Sequence, residues 1–374
     1  MRIERVETFP VNVPLKEAYV MSKTSSSSIS ALIIRLSTDS GIEGIGEARV
    51  GLGNHYTHES IESMKLMVDK YFGPALMGEN PLDINNLIEK VNAAWAAGYT
   101  ITKAGIEMAL FDIMGKHYKL SVSDLLGGTY KNKKVGLVGA VNCAQPLEMA
   151  KEAAYWAGQG RKVLKAKIGQ GADVELDTKR VSEMRAAIGP NADLRLDCNH
   201  AYRIDTALRL IKRVEKYDPC LLEDPIERWN IEGMVQLTRI SAVPICIDNY
   251  IFSPQDAFHV LSKGACHVIK IKLQRVGGFR NALQIIAVAD SAGIPVTVGQ
   301  AAVLNISAAA EYHLIAASKS VVPWGENEPA LKQESDVVKN PLQIKDGHIS
   351  LPTSSGLGVE LDMERVTRFS MPLP

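Results

Sequence analysis

The sequence predicts an α/β fold, a closed barrel of eight parallel strands preceded by an α+β domain. Three observations carry this. From about Lys134 onward, eight short apolar runs alternate with segments of helical periodicity, the pattern of a parallel sheet covered by helices. The first 120 residues read differently, as strands followed by helices. The chain of 374 residues is also long enough for two domains at about 100–200 residues each.

In the leading part, Ile3–Asn12 reads as a strand and Tyr19–Ser30, with Ser25–Ser28 inside it, as a loop. The apolar run Ala31–Leu36 follows, then the turn Asp39–Gly41 and a strand at Ile42–Ala48. Thr102–His117 places Ile106, Leu110, Ile113 and Met114 at spacings of three and four, which predicts an amphipathic helix. The run Gly41-Ile-Glu-Gly-Ile-Gly46 has nucleotide-loop glycines, yet no helical pattern opens there, so it is not read as one.

The eight runs are Val135–Val141, Val163–Ile168, Asp193–Asp197, Cys220–Glu223, Val243–Asp248, His267–Leu273, Ile294–Gly299 and Val321–Trp324. Helical patterns between them include Thr178–Ile188, Ile204–Val214, Pro254–Leu261 and Phe279–Ala289. Eight such repeats in roughly 200 residues suit a closed barrel better than an open sheet. The stretch Gly347–Pro374 reads as a tail outside the repeat. The expected division is an α+β domain at 1–125, completed by 355–374, and a barrel at 126–354.

Composition narrows the function. With 42 basic and 42 acidic residues the chain lacks the basic excess of a nucleic-acid module. No apolar run is long enough to span a membrane, and the opening MRIERVETFPVNVPL has no signal-peptide core. Its five cysteines are far apart, with no C-x-x-C pair. That suits reduced thiols in a cytoplasm and excludes a cysteine-based zinc site.

Strands covered by helices outside and packed layers inside should be apolar. Five of them nevertheless end in charge: Lys165 and Lys167, Asp197, Glu223, Asp248, and Lys270 with Lys272. From Lys167 through the acids to Lys272 the intervals are 30, 26, 25 and 24 residues. Each is one strand-and-helix unit, so the groups ring one mouth, where barrel enzymes place their chemistry. A single strand-end Asp commonly caps a helix, but three acids in succession at a regular interval would repel one another without a cation. Oxygen-only ligation favours Mg²⁺, with Mn²⁺ as the alternative. The second and sixth strands of eight face each other, so Lys167 and Lys272 can approach one bound carbon from opposite sides. This suits abstraction of a proton next to a carboxylate, with the metal stabilising the enediolate.

The chain resembles the enolase superfamily, and within it the muconate-lactonizing-enzyme subgroup. The resemblance rests on IEMALFDIMGKHYKLSVSDLLGG at Ile106–Gly128, K-A-K at Lys165–Lys167, LRLDCN ending in Asn199, LLEDP around Glu223 and IKIKLQRVGG around Lys272. It implies a modified (β/α)8 TIM-type barrel of (β/α)7β form under an α+β capping domain. It also implies Asp197, Glu223 and Asp248 as metal ligands, Lys167 and Lys272 as the acid/base pair, and Lys165 as an auxiliary lysine. Asn199 would lie behind the ligands or contact a metal-bound water. The partner would be a small-molecule carboxylate, and the assembly a homo-oligomer. The seventh run reads IPVTVGQAAV, with Gln300 and no histidine, which disfavours the mandelate-racemase subgroup.

Two features depart from the family pattern. Asn249 follows Asp248 where an acid is common, and the eighth strand ends in Trp324-Gly-Glu-Asn-Glu-Pro329 rather than the D-x-D of dipeptide epimerases. Glu326 or Glu328 would then contact substrate, and Trp324 would stack on a substrate cation or pack in the core. Tyr19–Ser30 and Val50–Tyr56 match loops that close over substrate. The expected reaction is racemisation or epimerisation of an amino-acid derivative. The lysine pair equally serves a muconate-type cycloisomerase or a syn-dehydratase of a hydroxy acid or hydroxyproline. Asn249 alone supports a barrel that binds a ligand without turnover.

Overall fold

A computed structural model of the chain describes residues 1–20, 25–50, 58–130, 134–299, 302–326 and 335–373. Its leading sheet has three antiparallel strands in chain order: β1 (Ile3–Val20), β2 (Ser25–Thr38) and β3 (Glu43–Arg49). Period-two alternation gives this sheet two buried faces. Leu32, Ile34 and Leu36 pack with Ile106, Leu110 and Ile113 of the helix Thr100–Tyr118. Val11, Val13, Ile29, Ala31 and Ile33 point the other way and join the apolar core of the barrel. Pro10 and Pro14 sit in β1, an edge strand, where a missing ladder donor is tolerated.

The segment expected to be a loop at Tyr19–Ser30 is largely strand. Pairing runs from Asn12↔Ser30 to Val20↔Ser25, with a register shift between Pro14 and Tyr19. The serines lie at a ribbon end where Ser25 and Ser27 are exposed and Ser26, Ser28 and Ser30 half-buried, and backbone pairing does not require apolar side chains. The glycines of β3 have a packing cause. A Cβ on Gly44 would collide with the Ala109 carbonyl, and one on Gly46 with the Gly105 carbonyl. They let the helix Thr100–Tyr118 lie directly on the sheet.

Eight parallel strands follow in chain order: β4 (Lys134–Val141), β5 (Val163–Lys167), β6 (Asp193–Asp197), β7 (Leu221–Glu223), β8 (Ile245–Ile247), β9 (Val268–Ile271), β10 (Val296–Val298) and β11 (Val321–Gly325). β11 pairs back to β4 and closes the barrel. The seven connections carry the helices Pro146–Gly158, Val174–Ile188, Ile204–Val214, Ile231–Ile240, Pro254–Ser262, Phe279–Ser291 and Asn305–Ala317. Among the described residues no helix follows β11 before the hairpin β12 (Ile344–Lys345) and β13 (His348–Ser350), so the barrel is (β/α)7β. β13 pairs antiparallel with the start of β4.

The tail returns to the leading sheet. The Asn12 amide donates to the Phe369 carbonyl at 2.8 Å, and the Met371 amide to the Pro10 carbonyl at 3.1 Å. The leading part is tied to the barrel by buried polar groups. Glu47, on β3, accepts the amides of Leu304 (3.0 Å) and Ser307 (2.9 Å) at the start of the helix Asn305–Ala317. The Arg49 amide donates to Gln274 Oε1 at 3.0 Å, beyond the end of β9. No helix among the described residues is long and apolar enough to cross a membrane.

Candidate active site

Register places the charged side chains inside the barrel. Lys167, Asp197 and Glu223 are successive Cα partners on β5, β6 and β7, and Glu223 faces Cys246 on β8. Asp248 lies two residues beyond Cys246, so alternation returns it to the same inner face. Lys165 on β5 and Lys270 on β9 lie one step deeper than Lys167 and Lys272.

The structure brings the four lysines and three acids together, with a fourth acid from the eighth strand. Lys167 Nζ is 2.5 Å from Asp197 Oδ2, and Lys272 Nζ is 2.5 Å from Asp248 Oδ2. Beneath them, Lys165 Nζ reaches Glu326 Oε2 at 2.8 Å and Glu223 Oε2 at 3.4 Å. Lys270 Nζ reaches the same Glu326 oxygen at 2.5 Å and Glu223 Oε1 at 3.3 Å. Lys165, Glu223, Lys270 and Glu326 thus form a closed ring of alternating charge from the second, fourth, sixth and eighth strands. Barrel interiors fill in layers of four side chains from alternate strands; here one layer is ionic.

Electrostatics follow from burial and from these contacts. Burial opposes ionisation of Asp197, but Lys167, Lys165 and Lys270 outweigh it and hold the carboxyl below its ordinary range. Asp248 is likewise held down against burial by Lys272 and Arg275. Glu223 goes the other way: burial, then the Asp197 anion, push it up to about 8. Glu326 is lowered to about 2, Lys165 and Lys270 overcoming its burial. Lys272 is lowered to about 8, chiefly by burial and further by Arg275 and Lys270, with Asp248 opposing. Behind Glu326, burial raises Glu311 to about 8, and the Glu326 anion adds to it.

The strand ends are held by a second set of bonds. Asp224 accepts from the amides of Asp248 (2.9 Å) and Asn249 (3.0 Å) and from Asn249 Nδ2 (2.8 Å), with His200 Nε2 at 3.3 Å. Arg275 spans the same turn, donating to the Asp248 carbonyl at 2.6 Å and to Asn249 Oδ1 at 3.0 Å. Asn249 Oδ1 also accepts from Lys272 at 3.2 Å. Asn199 donates its amide to Asp197 Oδ1 at 3.1 Å and sits at φ 44°, bending the chain back over the ligand turn. His267 Nδ1 accepts the Ile245 amide at 3.0 Å and caps a strand edge.

Two side chains of the eighth strand end are placed by their neighbours. The Trp324 ring lies against Gly136 and beside His348, near the amino-terminal end of β4, whereas the lysines and acids gather at the carboxyl ends. Gly136 leaves the space that the indole fills, so Trp324 is a packing residue and not a stacking platform at the mouth. Glu326 belongs to the ionic layer, bound by two lysines. Gln300, Glu328, residues 51–56 of the second expected lid and residues 21–24 of the first lie outside the described residues. Lys270, Arg275 and Asp224 had been given no role from the sequence. The signal for Lys270 was its period-two spacing from Lys272. Asp224 and Arg275 lie inside the LLEDP and LQRVGG motifs, yet nothing local marks them as braces.

Among the described residues no three acid, histidine or cysteine side chains are close enough together to hold an ion; each of Asp197, Glu223 and Asp248 is drawn to a lysine. Their chemistry still fits a hard divalent cation, since the donor set is carboxylate oxygen alone, on three consecutive strands. The lysines stand where such a cation would offset the same negative charge.

Comparison with known proteins agrees with this geometry. Residues 3–127 match the family described as mandelate racemase/muconate lactonizing enzyme, N-terminal domain, and residues 148–366 match enolase C-terminal domain-like. The chain is 31% identical over 355 residues to an L-Ala-D/L-Glu epimerase of Clostridium acetobutylicum, covering 94% of this chain and 96% of that protein. It is 31% identical over 372 residues to muconate cycloisomerase 1 of Pseudomonas putida, covering 98% of each. A dipeptide epimerase from Cytophaga hutchinsonii, solved with Mg and the dipeptide D-Ala-L-Val, superposes with a TM-score of 0.92 at 27% identity, over 99% of both chains.

Proposed function

This chain belongs to the mandelate racemase/muconate lactonizing enzyme family of the enolase superfamily, and from that premise we propose that it racemises or epimerises an amino-acid derivative by moving the proton α to a carboxylate. One observation carries the reading: Lys167 and Lys272 come from the second and sixth strands of a closed ring of eight, and both point inward. Groups so opposed can take a proton from one face of a carbon and return it from the other.

Asp197, Glu223 and Asp248 would hold a divalent ion, Mg²⁺ by the donor chemistry. That ion, when bound, supplies charge stabilisation as the substrate carboxylate becomes an enediolate. The chain does the rest. Lys165 offers an ammonium beside the ligands, Asp224 and Arg275 fix the Asp248–Asn249 turn, and Lys167 and Lys272 hold and move the proton. Residues 1–125 with 355–374 serve as the cap and 126–354 as the barrel. The contacts of Arg49 and Glu47 with the segments after β9 and β10 support a cap seated over the carboxyl ends.

Exchange of the α-proton in D₂O tests the assignment. In a racemase or epimerase, Lys167→Ala loses exchange from one stereoisomer and Lys272→Ala from the other, and both lose net inversion. The relatives include a cycloisomerase at the same identity as an epimerase. In a cycloisomerisation or syn elimination only one lysine is essential to proton transfer. If both variants turn over at the parental rate, neither lysine does the chemistry; no exchange from any carboxylate with the parent protein would leave the binding-only reading.

A further inference from the structure

The two lysines opposed across the barrel are held from different sides. Lys272 opens a tight turn that runs to Phe279. The Val276 amide donates to the Lys272 carbonyl at 3.1 Å and the Gly278 amide to the Leu273 carbonyl at 3.0 Å, so the turn moves as one piece. Two side chains join it to the cap. Gln274 Oε1 accepts the Arg49 amide at 3.0 Å, and Glu107 receives the amides of Phe279 and Arg280. A Cβ on Gly278, at φ 110°, would collide with Glu107 Oε2, so the cap helix seats directly on the turn.

The turn after Lys167 is braced from within the barrel. The Ile168 amide donates to the Asp197 carbonyl at 3.0 Å. The Gly169 amide donates to Asp177 Oδ2 at 3.2 Å, the oxygen that also takes the Tyr202 hydroxyl at 2.5 Å. Arg180 holds the other Asp177 oxygen at 2.8 Å. Among the described residues no hydrogen bond joins 168–173 to the cap.

We propose that Gln274 is a positioning residue that couples the seating of the cap to the placement of Lys272 and leaves Lys167 outside that coupling. It rests on the α-proton reading above, which gives the two lysines their work. Gln274 is buried, and both ends of its amide are used. While Oε1 takes the Arg49 amide, Nε2 donates to Ser307 Oγ, and the Ser307 amide donates to Glu47 Oε2 at 2.9 Å. Glu47 and Arg49 are two apart on β3 and share a face. The circuit Arg49–Gln274–Ser307–Glu47 therefore closes between one cap strand and the segments after β9 and β10. Without the Gln274 amide the Arg49 N–H is buried with no acceptor, a costly state that the cap strand and the turn relieve by separating. Arg275 keeps a second hold on the turn from the barrel, through the Asp248 and Ile251 carbonyls at 2.6 and 2.9 Å. Lys272 is then displaced and not released, and small displacements of a reacting group are expensive in rate.

The test is deuterium incorporation in D₂O with Mg²⁺ present, by the full-length protein, into the N-acetyl-L and N-acetyl-D forms of leucine, glutamate and lysine. Lys272→Ala identifies the stereoisomer that Lys272 serves. Gln274→Met, similar in size and without the hydrogen bonds, should slow exchange from that stereoisomer about tenfold and from its mirror image less than about twofold. Ser307→Ala spares the Arg49 bond and should shift the ratio the same way by less. Equal slowing of both stereoisomers marks a general structural role and overturns the proposal, as does an unchanged ratio or a loss confined to the stereoisomer served by Lys167. If Gln274→Met does not fold, Ser307→Ala decides by the same ratio. Backbone hydrogen exchange of the protein alone, read by mass spectrometry, keeps the coupling distinct from the reaction. Gln274→Met should quicken it about tenfold in 43–50 and 272–280 and leave 163–173 as in the parent; no change, or a uniform rise, overturns the coupling. Where the parent exchanges the α-proton of none of the probes, it is the α-proton reading that fails, and the backbone measurement decides whether Gln274 links cap and turn.

Discussion

Glu107 lies on the helix Thr100–Tyr118 beneath the start of the helix Phe279–Ser291, whose first amides, from Phe279 and Arg280, it receives. Its Oε2 is buried without a hydrogen-bond partner. Burial dominates over the two amides and Arg280, and the carboxyl is pushed up to about 7 from an ordinary 4.5. A carboxyl with a raised folded-state pKa binds its proton more tightly folded than unfolded. The stability that comes with the proton is therefore complete below about pH 4.5 and lost as pH rises through 7. At ~1.36 kcal/mol per unit, the loss reaches roughly 3 kcal/mol at pH 8 and about 1.4 at pH 5.5. Glu107→Gln keeps an oxygen for the two amides and cannot ionise. Measured by urea denaturation with far-ultraviolet dichroism, the variant should gain about 2 kcal/mol on the parent between pH 5.5 and pH 8. Glu47, Glu311 and Asp336, also raised by burial, are common to both proteins and cancel in the difference. A difference that is flat across that range, or that falls with pH, would refute the reasoning.

Gly46→Ala should destabilise the protein by about 3 kcal/mol, because the new Cβ meets the Gly105 carbonyl and the helix must lift off β3; an unchanged melting temperature would show that the contact relaxes freely. Glu223→Gln should leave a folded protein that binds Mg²⁺ at least about a hundredfold more weakly in calorimetric titration; parental affinity would remove Glu223 from the ligand set. Chelation should abolish α-proton exchange and added Mg²⁺ restore it, and exchange that survives chelation would sink the metal-assisted mechanism.

The barrel was legible because its information is local. Most strands are short runs rich in β-branched and aliphatic residues between helical patterns, and all eight runs found their strands. The charged strand ends were legible for the same reason: Lys165, Lys167, Asp197, Glu223 and Asp248 break an apolar rule at regular intervals. The serine ribbon Ser25–Ser30 was not, since its pairing with Asn12–Val20 depends on a neighbouring strand and not on its own composition. The glycines at 44 and 46 resemble a phosphate loop in one dimension. Only the helix lying across them explains why no side chain fits. Nothing local marks Glu47 or Glu107, whose part depends on the helices brought over them.

The ionic layer is the place where local rules and the fold disagree most, and the disagreement has an energetic meaning. Its two buried lysines and two buried carboxylates give up hydration that their pairing recovers only in part, and apolar side chains of similar size commonly serve stability as well or better. Stability alone therefore does not account for Lys270 in a position where a barrel interior ordinarily takes Val, Ile or Leu. The arrangement is better understood as prepaid order. Each carboxylate and each ammonium is held by partners on other strands, so that a ligand or a cation exchanges one set of charges for another without rebuilding the layer. Sequences break local consistency chiefly where function requires it, and here the break falls on the second, fourth, sixth and eighth strands at one depth. That depth lies directly beneath Lys167 and Lys272, so a change made there should disturb how those lysines are held before it alters whether the barrel folds.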